Sequence, residues 1–401
     1  MWRNLPLGNL AEITSGGTPS RDVAEYWGGD IPWVTPTDIT ACRTNYLFDT
    51  ADQITKRGLL NSSAKVLPVG TILFTSRATV GISKIAGVPV CTNQGFKCLS
   101  PLHNVDGKFL FYQVQRLKGA FERYAAGSTF LEINKKDTAR VLIPHPVDPN
   151  AQQKIAAILT SIDTAIEKTE ALIEKYQQIK AGLMHDLFTR GVLPNGQLRP
   201  PREQAPELYQ QTAIGWIPKE WELVPLGKIA SFQRGHDIVG AQFREGAYPV
   251  ISSSGVIGFH SEATTKSPNV VVGRKGTIGK VHFLEQDFWA HDTSLFVTNF
   301  NNNFEKFVFH LCVHLDLARF GTRSGSPSLN RNDIHPILVA RPTRKEQITI
   351  AKLVDKAELH ICSNRNQLIK LKYQKLGLMQ DLLTGKVPVK VDDPAADSVN
   401  A

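Results

Sequence analysis

Two nearly identical segments, 195 positions apart, place the strongest constraint on how this chain can fold. They read GLMHDLFT at 182–189 and GLMQDLLT at 377–384, and each ends a long stretch with helical periodicity. The seam positions of the two stretches alternate in steps of four and three: Ile155, Leu159, Ile162, Ile166, Thr169, Ile173 and Tyr176, then Ile350, Val354, Ala357, Ile361, Asn364, Leu368 and Leu371. This spacing places a narrow seam along one side of a helix, as in a coiled coil. Because neither helix can bury its seam alone, the sequence predicts that the two helices pair with each other.

The segments that precede the two helices are also duplicated. Pro-Leu-Gly at 6–8 returns at 225–227, and ILFTSRATVGIS at 72–83 corresponds to VVVGRKGTIGKV at 270–281. We therefore divide the chain into a first globular domain at 1–150, a long helix at 151–190, an extended linker at 191–217, a second globular domain at 218–343, a long helix at 344–386 and a disordered tail at 387–401.

Short apolar runs bounded by Gly or Pro, such as 69–75 and 139–144, predict buried strands in the globular domains, with one amphipathic helix between them. The fold class expected is α+β: two mixed α/β domains joined by two long antiparallel coiled-coil helices, with a pseudo-twofold internal repeat. Antiparallel pairing is expected because the first helix leads away from the first domain and the second helix leads back from the second.

The charge balance indicates what the protein binds. A net charge of +9 and a pI of about 9.2 favour a polyanionic partner such as duplex DNA, although a merely basic protein would look the same. The sequence contains no apolar run of the roughly 18 residues that a membrane span requires. The amino terminus has no secretory pattern, so we expect a cytoplasmic protein that contacts no membrane.

The motifs of common catalytic sites are missing from the sequence. It contains no Asn/Asp-Pro-Pro-aromatic loop of an amino-methyltransferase, no GxSxG elbow, no HExxH and no cysteine–histidine zinc spacing. GRKGTIGK at 273–280 differs from a phosphate loop in its glycine spacing and in having Val281 at the magnesium-binding position. The adjacent His291 and Asp292 are more typical of local hydrogen bonding than of a catalytic pair. The sequence therefore predicts a non-catalytic binding protein without a bound metal or cofactor.

The candidate DNA-binding residues lie at matched places in the two halves. Loops that present arginine beside Ser, Thr and Gly allow close approach to phosphates and bidentate binding of guanine, although a solvated basic loop would have the same composition. Side-chain amides pair with adenine but serve equally often in turns. The candidates are Arg77, Thr79, Asn93, Gln94, Ser128, Thr129, Lys135 and Lys136 in the first half, and Arg274, Lys275, Thr277, Arg323, Ser324, Ser326 and Arg331 in the second.

These features together resemble a known family, the specificity subunits of type I restriction–modification enzymes. The resemblance is carried by SGGTPSRDVAEYWGGDIPWV at 15–34, LFTSRATVGISKIAGVPVCTNQGFKCL at 73–99, IGWIPKEWELVPLGKIA at 214–230 and the twin helix endings. A glutamine near the start of each long helix, Gln152 and Gln347, also matches. The chain departs from the pattern at its start, where IGWIPKEW has no equivalent.

The resemblance implies that each globular domain is a target-recognition domain that reads one half of a bipartite DNA site. It implies that the helices set the unread spacer and dock two modification subunits, which would carry S-adenosylmethionine, and that restriction subunits would use ATP. Two other classes stay open at this point. One is the specificity subunit of a two-part enzyme with a fused methylase and nuclease partner, and the other is a coiled-coil scaffold that binds no DNA.

Overall fold

The computed structural model describes residues 1–77, 79–126, 131–238, 245–322 and 327–390. It divides into two compact units: unit 1 comprises Met1–Ala171 and the described residues from Asn366 on, and unit 2 comprises Leu172–Arg365. The first long helix runs from Pro149 to Thr189 and the second from Arg344 to Leu382, close to the bounds expected from the seams. Each unit therefore contains one globular domain and part of both long helices. None of the helices in these ranges is both long and apolar enough to cross a bilayer.

The described residues of unit 1 form three sheets. The largest has the strand order Ala11–Ser15, Phe96–Pro101, Ile72–Thr75, Ser83–Ala86 and Tyr46–Leu47. The second has the order Asp52–Ile54, Trp27–Val34 and Cys91–Thr92, and its last pair is parallel. The third pairs Trp2–Pro6 with Leu142–Pro146. The alternation of buried Ile13, Ile72, Phe74 and Leu99 places one face of the largest sheet in the core.

Unit 2 repeats this topology, except that its largest sheet has no counterpart of the strand Tyr46–Leu47 among the described residues. Its largest sheet has the order Ser231–Arg234, Ser294–Asn299, Asn269–Gly273 and Val281–Leu284, and the second has Gly255–His260, Tyr248–Ser252 and Trp289–Ala290, again with a parallel last pair. The third pairs Glu222–Pro225 with Leu338–Arg341. The internal repeat predicted from the sequence is therefore confirmed at the level of strand order.

Short helices cover these sheets. In unit 1 they are Pro36–Ala41, Lys56–Leu60, Gly107–Arg116, Lys118–Tyr124 and Lys135–Arg140, with 3-10 turns at Leu7–Asn9 and Ala24–Tyr26. In unit 2 they are Leu226–Ile229, Glu305–His314 and Arg331–Ile334, with 3-10 turns at Pro206–Leu208 and Leu317–Phe320. The amphipathic helix expected in each domain is interrupted, near its middle at Leu117 in unit 1 and toward its end at left-handed Asp316 in unit 2.

The two ends of each long helix lie in different cores. Ile155 and Leu159, near the start of the first helix, pack in the core of unit 1 together with Met379, Leu382 and Leu383 from the end of the second. Met184, Leu187 and Phe188, from the end of the first helix, pack in unit 2 with Ile350 and Val354. The apolar residues of the twin segments that end the helices thus lie in the cores, which explains why Leu and Met recur at the same positions in both.

Ion pairs show how the helices align. In unit 1, Lys375 contacts Asp163 at 2.7 Å and Lys372 contacts Glu170 at 2.8 Å. In unit 2, Lys180 pairs with Glu358, and the rings of Tyr176 and His360 stack with their centroids 5.5 Å apart. In both units the partner number falls as the residue number rises, which confirms the antiparallel pairing predicted from the seams.

A buried glutamine joins each long helix to its domain. Gln152 is fully buried; its Nε2 donates to Pro146 O at 3.1 Å, and its Oε1 accepts from Asp106 N at 2.8 Å. Gln347 is equally buried, and it donates to Pro342 O at 3.0 Å and accepts from Phe304 N at 2.9 Å. These bonds satisfy backbone groups at the start of the helix and of the neighbouring loop, so the same residue type is required in both units.

The segment at 191–217, expected to be an extended linker, is instead folded into unit 2. It contains a hairpin of Tyr209–Thr212 with Gly215–Pro218, and Arg199 is only 3% exposed. The Arg199 guanidinium forms two bonds to the carboxylate of Glu346, which is also buried, and Trp221 Nε1 donates to the same carboxylate at 3.0 Å. The linker prediction was wrong because it rested on local composition, whereas an ion pair with a residue 147 positions away orders the segment. Of the tail predicted at 387–401, residues 391–401 lie outside the described ranges.

Candidate nucleic-acid interface

Three loops come together at one edge of the large sheet in unit 1. Their described residues are 76–77, 79–81, 93–95 and 131–136, and we call them the unit 1 loop cluster. Ser76 N donates to Gly95 O at 2.8 Å, and Ile133 N donates to Ser76 O at 2.9 Å. The sequence-predicted residues Arg77, Thr79, Asn93, Gln94, Lys135 and Lys136 all lie on these loops or on the first turn that follows them.

Unit 2 has the same arrangement in the loops at 274–279, 291–293 and 327–331, the unit 2 loop cluster. Arg274 N donates to Thr293 O at 2.8 Å, and Leu329 N donates to Arg274 O at 2.9 Å. Arg274, Lys275, Thr277 and Arg331 lie in this cluster. The structure thus brings together the described candidates of each half into two clusters, one in each unit.

The backbone bonds establish which positions correspond. Gly81 N donates to Thr75 O at 3.0 Å, and 198 positions later Gly279 N donates to Gly273 O at 2.8 Å. Asn93 N donates to Val34 O at 3.1 Å, and His291 N donates to Ile251 O at 3.0 Å. By this register Ser76 corresponds to Arg274, Arg77 to Lys275, Thr79 to Thr277, Asn93 to His291 and Gln94 to Asp292. The loops share one backbone frame and differ in their side chains.

A glycine in each unit permits the close approach of a strand end to the second loop of its cluster. A Cβ on Gly16 would lie 2.0 Å from Asn93 O and 2.3 Å from Thr92 O. A Cβ on Gly235 would lie 2.1 Å from His291 O and 2.6 Å from Ala290 O. No larger residue fits at these distances, so glycine is required at both equivalent positions.

Arg77 and the two lysines supply the positive charge of the unit 1 loop cluster. Arg77 Nε lies 3.6 Å from Glu132 Oε2, and both side chains are about half exposed. An exposed pair of this kind contributes at most about 1 kcal/mol, so Arg77 can exchange its carboxylate for a phosphate at little cost. Exposed Lys135 and Lys136 begin the helix Lys135–Arg140, which Asn134 caps by accepting from Asp137 N at 2.9 Å.

The two amide candidates of unit 1 have different surroundings. Asn93 Oδ1 accepts from Gly95 N at 2.9 Å, which is the turn role that the sequence left open beside adenine pairing. Gln94 is exposed, and its Oε1 accepts from the hydroxyl of Thr18. Gln94 is therefore an exposed amide held from one side, with an NH₂ group that can still donate.

Sequence reasoning missed Lys97, which lies beneath the unit 1 loop cluster. Its side chain is 5% exposed and its Nζ donates to Ser76 Oγ at 3.2 Å. Burial lowers the pKa of Lys97, while Glu132 opposes that change. The equivalent residue in unit 2 is Leu295, which is also buried. Only the strand register reveals this lysine as part of the cluster, because its neighbours in the chain form an apolar strand.

The candidates of the unit 2 loop cluster differ from one another in exposure. Half-buried Arg274 donates from Nη1 to Asp292 O at 3.2 Å. Lys275 and Thr277 are exposed at the loop tip, and exposed Arg331 opens the short helix Arg331–Ile334. Ser128, Thr129, Arg323, Ser324 and Ser326 lie outside the described residues.

His291 and Asp292 also belong to the unit 2 loop cluster, although the sequence favoured only a local role for them. The ring Nδ1 of His291 accepts from Thr293 N at 3.2 Å, so this histidine occupies the turn position of Asn93. Asp292 contacts Arg234 at 3.0 Å, and Arg234 lies at the end of the strand Ser231–Arg234. Aligning the two halves at 72–83 and 270–281 would have indicated the pair, since Asn93-Gln94 and His291-Asp292 share the same offset. Arg234 carried no such signal, because Ser15 stands at the equivalent position.

Comparison with known proteins gives the family. The model for the type I restriction modification DNA specificity domain matches residues 1–178 and 218–373. The chain belongs to this family. The match includes both globular domains and most of both long helices, so the resemblance stated from the sequence is confirmed and a DNA-free scaffold is not favoured.

Relatives of known type agree with this assignment. The chain is 33% identical over 236 residues to the MjaIX specificity subunit of Methanocaldococcus jannaschii, a match that spans 58% of this chain and about half, 52%, of that relative. It is 24% identical over 363 residues to the EcoprrI specificity subunit of Escherichia coli, which covers 88% of this chain and 86% of that relative.

Solved structures show the same fold. The S subunit of the M. genitalium type I restriction–modification system aligns over 96% of both chains with a TM-score of 0.63 at 18% identity. A chain from a type I R-M system, studied for its complex assembly and conformational transition, aligns over 96% of this chain and 98% of its own length, with a TM-score of 0.58 at 14% identity. The α+β fold with two domains and long helices is therefore that of S subunits.

Proposed function

We propose that this chain is the DNA-reading subunit of a type I restriction–modification complex and that each unit reads one half of a bipartite duplex target. The observation that carries the proposal is the duplicated loop cluster. Two clusters share their backbone bonds, present Arg and Lys at the same positions, and differ in neighbouring side chains. A common frame with different side chains suits two readers of unlike sequences, because phosphate contacts position a protein and base contacts specify the target.

The candidate residues divide between these two tasks. We assign phosphate contacts to Arg77, Lys135 and Lys136 in unit 1 and to Lys275 and Arg331 in unit 2, because these long cationic side chains are exposed. Thr79 and Thr277, at equivalent loop tips, suit a contact to either phosphate or base. Gln94, with a free amide NH₂ group, and Arg274, at the edge of the 291–293 loop, are the candidates for base contacts. Ser128, Thr129, Arg323, Ser324 and Ser326 keep their place as candidates by sequence position alone.

The long helices supply the other surface that the complex needs. Ile369, Tyr373 and Leu376 are spaced as one face of the second helix and are more than half exposed. We propose that this apolar face docks modification subunits, two copies per chain. We also propose that the length of the helices sets the unread spacer between the half-sites. The sites for S-adenosylmethionine and ATP would then lie on modification and restriction subunits, and this chain would act in the cytoplasm without catalysing a step.

Methylation mapping tests the proposal. The full chain is mixed with its modification subunit and S-adenosylmethionine, and adenine methylation is mapped on a random-sequence DNA library. We expect methylation at two short half-sites separated by a fixed number of unread base pairs. Gln94→Ala should relax one position of one half-site by about 5- to 150-fold and leave the other half-site unchanged. Methylation without sequence preference, or in one continuous site, would contradict the proposal.

A further inference from the structure

Unit 1 contains a short insertion that begins at the end of one strand of its second sheet. In that sheet the pair Ile31 and Ile54 occupies the place of Tyr248 and His260 in unit 2, two residues before the parallel pair that both units share. His260 is therefore the counterpart of Ile54.

The two units return to a common register soon afterwards. Each forms an isolated antiparallel bridge, and the two bridges are separated by 198 positions in both members: Leu67–Val90 and Thr265–Phe288. Counting back from these bridges, Ser63 corresponds to Ser261, which directly follows His260. Residues 55–62 therefore have no counterpart in unit 2, and we call them the unit 1 insertion.

The unit 1 insertion is held in place by its own contacts. It contains the short helix Lys56–Leu60, which Thr55 caps by accepting from Gly58 N at 3.0 Å. Leu59 packs against the small core around Trp33. Side chains at the end of this helix are therefore presented on a fixed backbone, so they lose little conformational entropy when they bind a ligand.

The insertion ends beside the unit 1 loop cluster. Gly17 N donates to Thr92 O at 2.8 Å, directly before the loop at 93–95. On its other side, a Cβ on Gly17 would lie 2.3 Å from Ser63 Oγ, and the next residue, Thr18, bonds to Gln94. Only the backbone of Gly17 thus separates the end of the insertion from the second loop of the cluster.

The insertion and the residues that follow it are basic. Residues 55–65 include Lys56, Arg57 and Lys65 and contain no acidic residue. Both lysines are exposed, whereas Arg57 pairs with Glu25. Phosphate oxygens are the partners that suit two exposed lysines beside a DNA-reading cluster, and such contacts would hold the insertion against the duplex.

The tip of the insertion carries groups that suit a base edge. Asn61 is exposed, and its Nδ2 donates to Arg57 O at 2.9 Å. Among the described residues no group donates to Asn61 Oδ1, so this oxygen can accept from the amino group of adenine or cytosine in the major groove. Leu60 beside it is 83% exposed and can cover an apolar group of a base, such as the thymine methyl.

We propose that the unit 1 insertion specifies one further base pair of the half-site that unit 1 reads, with Asn61 and Leu60 as its base-contacting residues. This inference rests on the proposed function, because it presupposes that unit 1 reads DNA sequence. It concerns residues outside the candidates that the sequence suggested, and it makes the two half-sites unequal in the number of positions they specify.

The test compares wild-type chain and variants, each assembled with the modification subunit, by the same methylation mapping. The main variant lacks 55–62 and joins Ile54 to Ser63, a connection that unit 2 already makes between His260 and Ser261. We expect discrimination at one position to fall by about 5- to 150-fold, in the half-site that Gln94→Ala also relaxes. The other half-site should be unchanged.

Point variants keep the test decisive if the shortened chain does not fold. Asn61→Ala should relax the same position by about 2- to 12-fold, because it removes one hydrogen bond. The matched control is Asn4→Ala, which removes another exposed amide of unit 1, on the strand Trp2–Pro6, and should leave the target unchanged.

The outcomes separate this inference from the proposed function. An unaltered target for Asn61→Ala and for the shortened chain would overturn the inference while the proposed function stands. Impaired assembly with the modification subunit at an unaltered target would also overturn it, by assigning the insertion to a protein contact. A wild-type complex without any sequence preference would overturn both.

Discussion

Units 1 and 2 share strand order, loop bonds and the buried glutamine of each long helix, yet they bury different charges. Unit 1 buries Lys97 where unit 2 has Leu295, and unit 2 buries Glu346 with Arg199 where unit 1 has Ala151 near the start of its helix. The comparison teaches that the two copies share the side chains that satisfy backbone hydrogen-bonding groups, whereas their buried ionic side chains differ. Backbone groups must be paired in any version of the fold, but a buried charge can be replaced by an apolar side chain.

The same contrast appears where the short helix of each domain meets the long helices. In unit 1 the hydroxyl of Tyr112 donates to Asp163 at 2.7 Å, and in unit 2 the equivalent His310 contacts Asp355 through Nε2 at 2.8 Å. Burial raises the pKa of Tyr112, so this residue stays neutral at any physiological pH. Burial also lowers the pKa of His310, so this histidine becomes protonated only below its ordinary range. One position thus carries a fixed hydrogen bond in unit 1 and a titrating one in unit 2.

The largest effect on stability should follow from breaking the ion pair between Arg199 and Glu346, which unit 1 lacks. Glu346→Ala introduces the residue of the equivalent unit 1 position, and it leaves the buried guanidinium of Arg199 with only the exposed carboxylate of Glu220, 2.8 Å from Nη2. We expect unit 2 to lose about 3–5 kcal/mol in free energy of unfolding. Urea denaturation followed by hydrogen exchange in each unit measures this change.

The double variant Arg199→Met/Glu346→Leu is the control for that prediction. It removes both charges, so it should be clearly more stable than Glu346→Ala alone. A single variant as stable as wild type would show that the pair is not the reason for the order of the 191–217 segment.

A smaller effect is expected on acidification, which should destabilise unit 2 more than unit 1. Burial lowers the pKa of His282, His310, His314 and His335 in unit 2, whereas among the described histidines of unit 1 it lowers the pKa of His145 alone. A lowered pKa means that the unfolded chain binds more protons below the ordinary histidine value of about 6.5. Stability is therefore present above that pH and is lost as the pH falls toward the folded pKa values.

Hydrogen exchange at pH 8 and pH 5.5, corrected for intrinsic rates, tests this contrast. Unit 2 should lose more protection than unit 1, and His310→Gln should reduce the loss. The groups that face His310 are Asp355, which opposes the lowering, and Lys306 and Lys180, which add to it. An equal loss in both units would remove the basis for calling unit 2 the acid-sensitive one.

The smallest expected effect is a gain in the stability of unit 1. Lys97→Leu gives unit 1 the residue that unit 2 has at this position and removes a buried charge whose one side-chain bond is to Ser76. We expect the free energy of unfolding to rise by about 1 kcal/mol at neutral pH. Burial lowers the pKa of Lys97, so the lysine loses its charge in the wild-type protein as the pH rises through that pKa. The free-energy cost of the buried charge then disappears, and the stability gain of Lys97→Leu over wild type should shrink in alkaline solution. Thermal unfolding at pH 7 and pH 10 measures the gain, and a loss of stability at pH 7 would contradict the prediction.

Much of the fold followed from patterns along the chain. The four–three seam predicted two paired helices, and the duplicated segments at 72–83 and 270–281 predicted two equivalent domains. Lys275 and Gln94 were found as candidates because loops after a strand have a recognisable composition. The order of 191–217 was missed because Arg199 is fixed by Glu346, and no local pattern links those two residues.

The sequence by itself determined the repeat, the seams, the basic character and the family, since each of these is a property of neighbours in the chain or of a fixed offset between copies. Only the tertiary structure decided which positions correspond within the loop clusters, that the twin helix endings are core residues, and that Arg234 is anchored by Asp292, 58 positions away. The reason is physical: a side chain's role depends on the atoms within a few ångströms of it, and strand register, not sequence spacing, sets which atoms those are.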